Sequence, residues 1–478
     1  MPRARSRAAA AARARARARA LTPLAEDGAG PPAAERAGVG AERRALLALA
    51  WPAVLSFLLT NSWRFIDHYW VRGLGLEAQA AVSACFFVSV MNYALHFLAA
   101  GGALPLVSQA LGARREERAA ELARHALVLA AGIGLVQTVL GPLLAPHIVE
   151  WLGMRGETAA QGVQFTRAMY AVSLSLALAP VIDFLFLARG DTRTPLVLQA
   201  LAAALNWVLN PLLIFGAGEF EGFGVAGAAW ATGIARAASV LLGLLLLARR
   251  TRGAWMPRRR VLLEPLEQLV RVALPNALSI AVYSAVYWGL QGLVLAELGD
   301  AVRAGLGVGF QVFEGLSYPC YVGISLAAAA QIGRAIGERD PALAWRIVRA
   351  GRQLAWIAGG FWTLVFLAAA PLVAPHFASD AAALRETLRY TSIVAFSQVC
   401  VAAEAVNERV LLGAGRTRAI FWIASAGNLL RLPLCWWVAL PLGGGPAGMY
   451  WVLNATSALK ALTYRWLVQR RRWLEPRE

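Results

Sequence analysis

The chain has 478 residues, of which 58% are hydrophobic and only 15% charged, whereas about a quarter of the residues of an ordinary soluble domain are charged. That composition excludes a water-soluble enzyme and leaves room for twelve membrane crossings, which need roughly 240 residues at about 20 each. The formal charge of +18 would, in a soluble chain, point to nucleic acid or another acidic partner, so the placement of the charges decides what they mean.

Seven arginines (Arg3, Arg5, Arg7, Arg13, Arg15, Arg17 and Arg19) open the chain, set among alanines, and a Gly/Pro/Ala-rich stretch follows to about Gly40. This segment lacks the apolar core of a secretory signal. It reads as a disordered basic cytoplasmic tail over 1–44, with docking on an anionic leaflet as the alternative. Hydrophobic runs then recur at 45–71, 79–111, 122–146, 162–188, 195–216, 225–248, 268–296, 303–333, 353–374, 388–413, 419–440 and 447–468. The predicted class is therefore an all-α polytopic membrane protein with twelve transmembrane helices. Its divisions are an N-lobe at 45–250, a cytoplasmic linker at 251–267, a C-lobe at 268–468 and a C-terminal tail at 469–478. Cys85, Cys320, Cys400 and Cys435 fall in apolar runs without C-x-x-C spacing, so neither zinc nor a disulfide framework is expected.

Arginine alternates from loop to loop. Every second connection carries it in clusters: Arg114, Arg115 and Arg118; Arg189 and Arg193; Arg249, Arg250, Arg252 and Arg258 to Arg260; Arg334 and Arg339; Arg416 and Arg418; and Arg470 to Arg472. The other connections hold few, accompanied by acids such as Glu77, Glu150, Glu157, Glu219 and Glu221. The positive-inside rule then places both termini in the cytoplasm of a cell whose inner membrane holds the chain.

Two copies of one six-helix unit are visible, displaced by 223 to 229 residues. Trp51-Pro52 answers Leu274-Pro275, Gln109-Ala110-Leu111-Gly112 answers Arg334-Ala335-Ile336-Gly337, Pro142 answers Pro371, and Gly190-Asp191-Thr192-Arg193 answers Gly415-Arg416-Thr417-Arg418. Six crossings per copy make both enter from the same side, related by an axis along the membrane normal, as in alternating-access transporters. These motifs, with Asp67 ahead of Gly73-Leu74-Gly75, Asn206-Trp207-Val208-Leu209-Asn210-Pro211, Gly227-Ala228-Ala229-Trp230-Ala231-Thr232 and Arg431-Leu432-Pro433, resemble the multidrug and toxic compound extrusion (MATE) family from residue 45 onward. The resemblance implies two pseudo-symmetric six-helix lobes and an antiporter that expels organic cationic or amphipathic compounds against protons or sodium.

Carboxylates inside apolar spans are costly and read first as functional groups. Asp67 leads: burial disfavours its charged form, and in the resembled proteins with an N-lobe site the matching aspartate couples the ion while a proline earlier in the first helix bends it. Pro52 takes that place as a helix hinge. The structural alternative pairs Asp67 with Arg64 one turn away, and a cation there would oppose protonation. Asn206 and Asn210, one turn apart, share a helix face and with Thr232 could coordinate a cation or hold a proton-bearing carboxyl; interhelical hydrogen bonds are the plainer role. Relatives of archaeal type tend to carry Asp at the second of these positions, so Asn210 tilts the expectation toward protons over sodium. Asp183 is a further ion-coupling or substrate candidate, but it, its repeat partner Glu408 and Glu404 lie near cytoplasmic ends, where solvated pairing with Arg189, Arg416 or Arg418 is the weightier reading. Glu314 sits well inside the eighth helix and is a second-lobe protonation or substrate-charge site. Val282, Tyr283 and Ser284 stand where the sodium-coupled branch carries a glutamate. His96 and His125 lack metal-ligand spacing and read as packed imidazoles.

The expected partners are small organic substrates and the lipid bilayer, with no nucleic acid, no cofactor and no metal, and the chain is expected to act as a monomer. A flippase for lipid-linked saccharides is the alternative, and it predicts an arginine-rich cleft drawn from Arg64, Arg236 and Arg431. Catalytic residues are not expected: no cluster of Asp, His or Glu has enzyme-like spacing, and no Gly-rich loop ending in Gly-Lys-Ser/Thr is present to bind a nucleotide.

Overall fold

The computed structural model describes residues 33–257, 262–378 and 380–474, and the side chains of all but a few of them; the side chains of 33–38, Arg64 and His68 are among those left out. With no water in the bilayer core, each backbone N–H and C=O of a spanning segment must be satisfied within its own helix, and the long apolar runs duly fold as twelve helical rods. They are α1 (Ala33–Val71), α2 (Leu76–Gly112), α3 (Glu116–Trp151), α4 (Gly156–Ala171 with Ser173–Ala188), α5 (Arg193–Phe215) and α6 (Val225–Arg250). The second six are α7 (Leu263–Leu293, extended by Leu295–Leu298), α8 (Asp300–Val308, a π-helical Gly309–Glu314, then Gly315–Gly337), α9 (Pro341–Ala368, with Ala370–Val373), α10 (Ala381–Val394 and Gln398–Gly413), α11 (Thr417–Ala439) and α12 (Gly445–Gln469). Among the described residues, eight are long and apolar enough to cross a membrane, ten if each of two bent pairs, in α4 and α9, counts as one span. The remaining rods, α10 and α12, carry Glu404, Glu408 and Arg409, and Lys460 and Arg465.

Helices outlast their apolar runs where charged residues keep good helix propensity outside the membrane. Thus α1 begins at Ala33, so residues 33–44 are helical where a disordered tail was expected, and α7 takes in the last residues of the expected linker. The tail proper, residues 1–32, lies outside the described residues.

The repeat is physical. Helix α1 packs on α8 as α7 packs on α2, and α1 meets α5 as α7 meets α11. The same left-handed, non-glycine turn ends α2 and α8, at Arg114 (φ 57) and Arg339 (φ 58), and follows α6 and α12, at Arg252 (φ 49) and Arg471 (φ 56). Small residues bring the lobes together, as expected where packing rather than hydrophobicity drives association. A Cβ on Gly112 would strike the Arg334 backbone, and one on its repeat partner Gly337 would strike the Gln109 carbonyl. Gly102 lies as close to the Leu269 backbone, and Gly323 to Val54. Gln109 Nε2 adds a hydrogen bond to the Gly413 carbonyl at 2.7 Å. Among the described residues, the contacts of Gly112, Gly337 and Gln109 lie at the end of the bundle where α1 begins and α12 finishes, called here the terminal end, whereas Gly323 meets Val54 midway along α8 and α1.

Candidate functional site

Three helices of the N-lobe converge on Asp67. Gly227 permits the approach of α6 to α5, because a Cβ there would collide with the Leu213 carbonyl. One face of α5 carries Asn206 and Asn210 toward α1, and α6 supplies Thr232. Asp67 Oδ1 accepts from Asn210 Nδ2 at 2.9 Å and from Asn206 Nδ2 at 3.3 Å; Oδ2 accepts from the Thr232 hydroxyl at 3.1 Å. Asn206 Nδ2 also lies 3.0 Å from Thr232 Oγ1. All four side chains are buried: Asp67 is 2% exposed and Asn210 0%. The amide oxygens of both asparagines, Asn206 Oδ1 and Asn210 Oδ1, are buried without a hydrogen-bond partner, which is costly unless another state of the site uses them.

Below this group, toward the terminal end, lies a cavity of about 180 Å³ bounded by α1, α2, α4, α5 and α6. Phe57, Trp63, Tyr93 and Phe184 give it aromatic walls, and Thr232, Asp183, Gln199, Arg236, Asn92 and His96 give it polar ones. Asp183 lines the cavity from the second segment of α4, beyond a 51° bend at Val172. At that break Ser173 and Ser175 hydroxyls bond the carbonyls of Met169 and Val172, a common cause of helix bending. Gln199 Nε2 donates to Asp183 Oδ2 at 2.7 Å, and its Oε1 accepts from Arg236. The Arg236 guanidinium, one turn from Thr232 on α6, acts on both Asp183 and Asp67. Across the cavity His96 Nε2 bonds Gln137 Oε1 at 2.7 Å, and Gln137 donates to Asn92 at 3.1 Å.

Of the residues singled out in the sequence, Asp67, Asn206, Asn210 and Thr232 form one group, and Asp183 faces the same cavity. Asp183 is thus a buried cavity residue, and the expected pairing with Arg189 is replaced by Gln199 and Arg236. Its counterparts also differ from expectation: Glu404 is paired with Lys460 at 2.7 Å and Glu408 with Arg409 at 2.8 Å, because α10 turns both acids into the lobe and away from Arg416 and Arg418. Glu314 stands apart from the Asp67 group, in the C-lobe, where the Tyr390 hydroxyl donates to it at 2.5 Å. It ends the π-helical turn of α8, an irregularity common at functional positions. Pro52 lies within an uninterrupted α1. The Arg64 side chain lies outside the described residues. His125 is buried, with Nδ1 bonded to the Glu121 carbonyl at 2.7 Å and Nε2 accepting from the Leu262 amide at 2.9 Å.

Sequence reasoning overlooked Gln199 and treated Arg236 only as a possible phosphate ligand. The helical spacing of Thr232 and Arg236, one turn apart on one face, was the available signal. Among the described residues Arg236 is the one arginine lining the cavity, and Asp183 lines it too; Arg431 is engaged by Thr456 at 2.8 Å and Ser457 at 2.7 Å. The arginine-rich cleft that a saccharide-pyrophosphate flippase needs is not formed by the described residues.

Comparison with known proteins places this architecture. The family model MatE matches residues 52–212 and 275–437, one match per lobe. The chain is 27% identical over 392 residues to the probable multidrug resistance protein NorM of Thermotoga maritima, covering 78% of this chain and 81% of that one. It is 26% identical over 467 residues to the probable multidrug resistance protein NorM of Caulobacter vibrioides, covering 92% and 95%. Among solved structures, the Vibrio cholerae MATE transporter VcmN in its bent form superposes with a TM-score of 0.81 at 21% identity, over 92% of this chain and 98% of that one.

Proposed function

The chain belongs to the MatE family of multidrug efflux transporters, and on that premise we propose that it is an ion-coupled antiporter, driven by protons rather than sodium, that exports organic cationic or amphipathic compounds by alternating access. The observation that carries this reading is the buried carboxylate of Asp67, addressed by three neutral donors and flanked by two orphaned amide oxygens. In its charged form Asp67 accepts from Asn206, Asn210 and Thr232. Once protonated it must donate a hydrogen bond, and rotation of either amide would present Asn206 Oδ1 or Asn210 Oδ1 as the acceptor. The same residues thus serve both states, and the exchange re-packs α1 against α5 and α6. Pro52 lacks the N–H that would bond the Ala48 carbonyl, so α1 has a ready place to bend in response. The aromatic walls of the adjacent cavity suit a flat or cationic organic molecule, with Asp183 as the opposite charge. The single carboxylate in the Asp67 group supports protons over sodium, because a dehydrated sodium ion needs several oxygens and more compensating charge. The alternating arginine loops support an inner-membrane location with cytoplasmic termini.

The test is substrate-induced proton release from the purified transporter, measured with and without sodium. Release that follows substrate addition and ignores sodium is the expected result. A sodium-dependent response that ignores pH would overturn the assignment of the ion.

A further inference from the structure

Inside an apolar bundle an acid and a cation normally meet, because taking two charges out of water is offset only by close, well-bonded contact. The C-lobe follows that rule: Glu408, the repeat partner of Asp183, is bonded to Arg409 at 2.8 Å, and Glu404 to Lys460 at 2.7 Å. The N-lobe cavity departs from it. Asp183 and Arg236 both line the cavity, yet Gln199 stands between them, donating from Nε2 to Asp183 Oδ2 at 2.7 Å and accepting from Arg236 at Oε1. The displacement of 225 residues that relates Gly190 to Gly415 sets Ala424 at the place of Gln199, so the spacer belongs to one copy alone. Arg236 is 8% exposed, and Gln199 is the one hydrogen-bond partner it has among the described residues. A guanidinium carries five N–H donors, so most of those of Arg236 remain for another acceptor at the cavity wall.

Opposite charges held one carboxamide apart match a molecule that carries both charges itself, its ammonium toward Asp183 and its carboxylate toward Arg236. Guanidinium suits that second partner because it bonds carboxylate oxygens in pairs. Size narrows the class further. The cavity measures about 180 Å³, against roughly 150 Å³ for an apolar cavity that takes a benzene ring, which leaves space for one substituted ring among Phe57, Trp63, Tyr93 and Phe184. Resting on the reading of this cavity as the substrate site, we propose that it prefers zwitterionic compounds built on a single aromatic ring. Arg236 is the residue that selects the carboxylate, and Gln199 is the spacer that keeps Asp183 from quenching it. A cation that lacks the carboxylate leaves Arg236 unanswered, and an anion that lacks the ammonium leaves Asp183 unanswered.

The experiment titrates the purified full-length protein in detergent with L-phenylalanine, phenethylamine and 3-phenylpropanoate, and reads each dissociation constant by calorimetry. These probes share one ring and carry both charges, the cation alone and the anion alone. Phenylalanine should bind at least about tenfold tighter than either of the others, as one charge-assisted hydrogen bond implies. Arg236→Gln should erase the preference for phenylalanine over phenethylamine, and Arg236→Lys, which keeps the cation, should retain it. Asp183→Asn should erase the preference over 3-phenylpropanoate. Phenethylamine binding to the wild-type protein as tightly as phenylalanine would overturn the proposal, as would an Arg236→Gln protein that keeps the preference, or no binding of phenylalanine at all. The wild-type comparison decides without any variant. A site that takes phenethylamine and refuses phenylalanine would sink the zwitterion preference while leaving the export of organic cations standing.

Discussion

Asp67, the proposed coupling carboxylate, is held by neutral neighbours. Its carboxylate is compensated by two amides and a hydroxyl, while Arg236, one turn from Thr232 along α6, is bonded to Gln199, which in turn donates to Asp183. Thr232 donates to Asp67 Oδ2, and its hydroxyl also meets the Asn206 side-chain amide. Thr232→Val keeps the shape and removes the hydroxyl, so a buried carboxylate oxygen loses its donor. The expected cost is roughly 1–3 kcal/mol of stability, read as a lower melting temperature in detergent, together with reduced dye efflux at matched expression. A melting temperature and efflux equal to wild type would show that the hydroxyl is dispensable. The members of this group were legible in the sequence because each is a polar residue in an apolar span and two of them are one turn apart. The partner of Asp183 was not, because its nearness to Arg189 along the chain suggested an ion pair, whereas the fold sets Gln199 of α5 beside it. No local pattern encodes where a bent helix will point a side chain.

At the scale of the helices, the twelve apolar runs map one to one onto α1–α12, since a membrane leaves only a helix to satisfy the backbone and length then settles the count. What escaped was internal: the 51° bend in α4, the π-helical turn Gly309–Glu314 and the helical start of α1 at Ala33. Such breaks arise from side-chain hydrogen bonds and packing against neighbours, which hydropathy does not register. The glycines shared by the two copies are more informative than they looked. Gly112 and Gly337 are repeat partners that meet at the crossing of α2 and α8, each under the backbone of the other helix. Gly112→Ala is predicted to lower the melting temperature and impair efflux, because the lobes must separate to admit a methyl group. Gly132→Ala in α3, where nothing lies within 4 Å of the added carbon, should be neutral or slightly stabilising, as alanine is the better helix former. Equal behaviour of the two variants would refute the idea that close backbone contact at the terminal end holds the lobes together.

Across the whole molecule, the charge that first suggested a nucleic-acid partner is sorted by topology. The arginine clusters lie at the connections on one side of the bundle, and the sparse, acid-accompanied loops lie on the other. The two lobes then divide the remaining polar residues unequally. The N-lobe holds the Asp67 group and the cavity; the C-lobe holds ion pairs, Lys460 with Glu404 and Arg409 with Glu408, and the isolated Glu314–Tyr390 bond. The proposed ion coupling therefore belongs to the N-lobe, with α1 as the element proposed to move. The most direct test of that claim is dye efflux from cells expressing Asp67→Asn, with membrane expression matched to wild type. Asparagine preserves the size and hydrogen-bonding capacity of the side chain but cannot exchange a proton, so the account predicts that efflux collapses. Undiminished efflux by Asp67→Asn would contradict it.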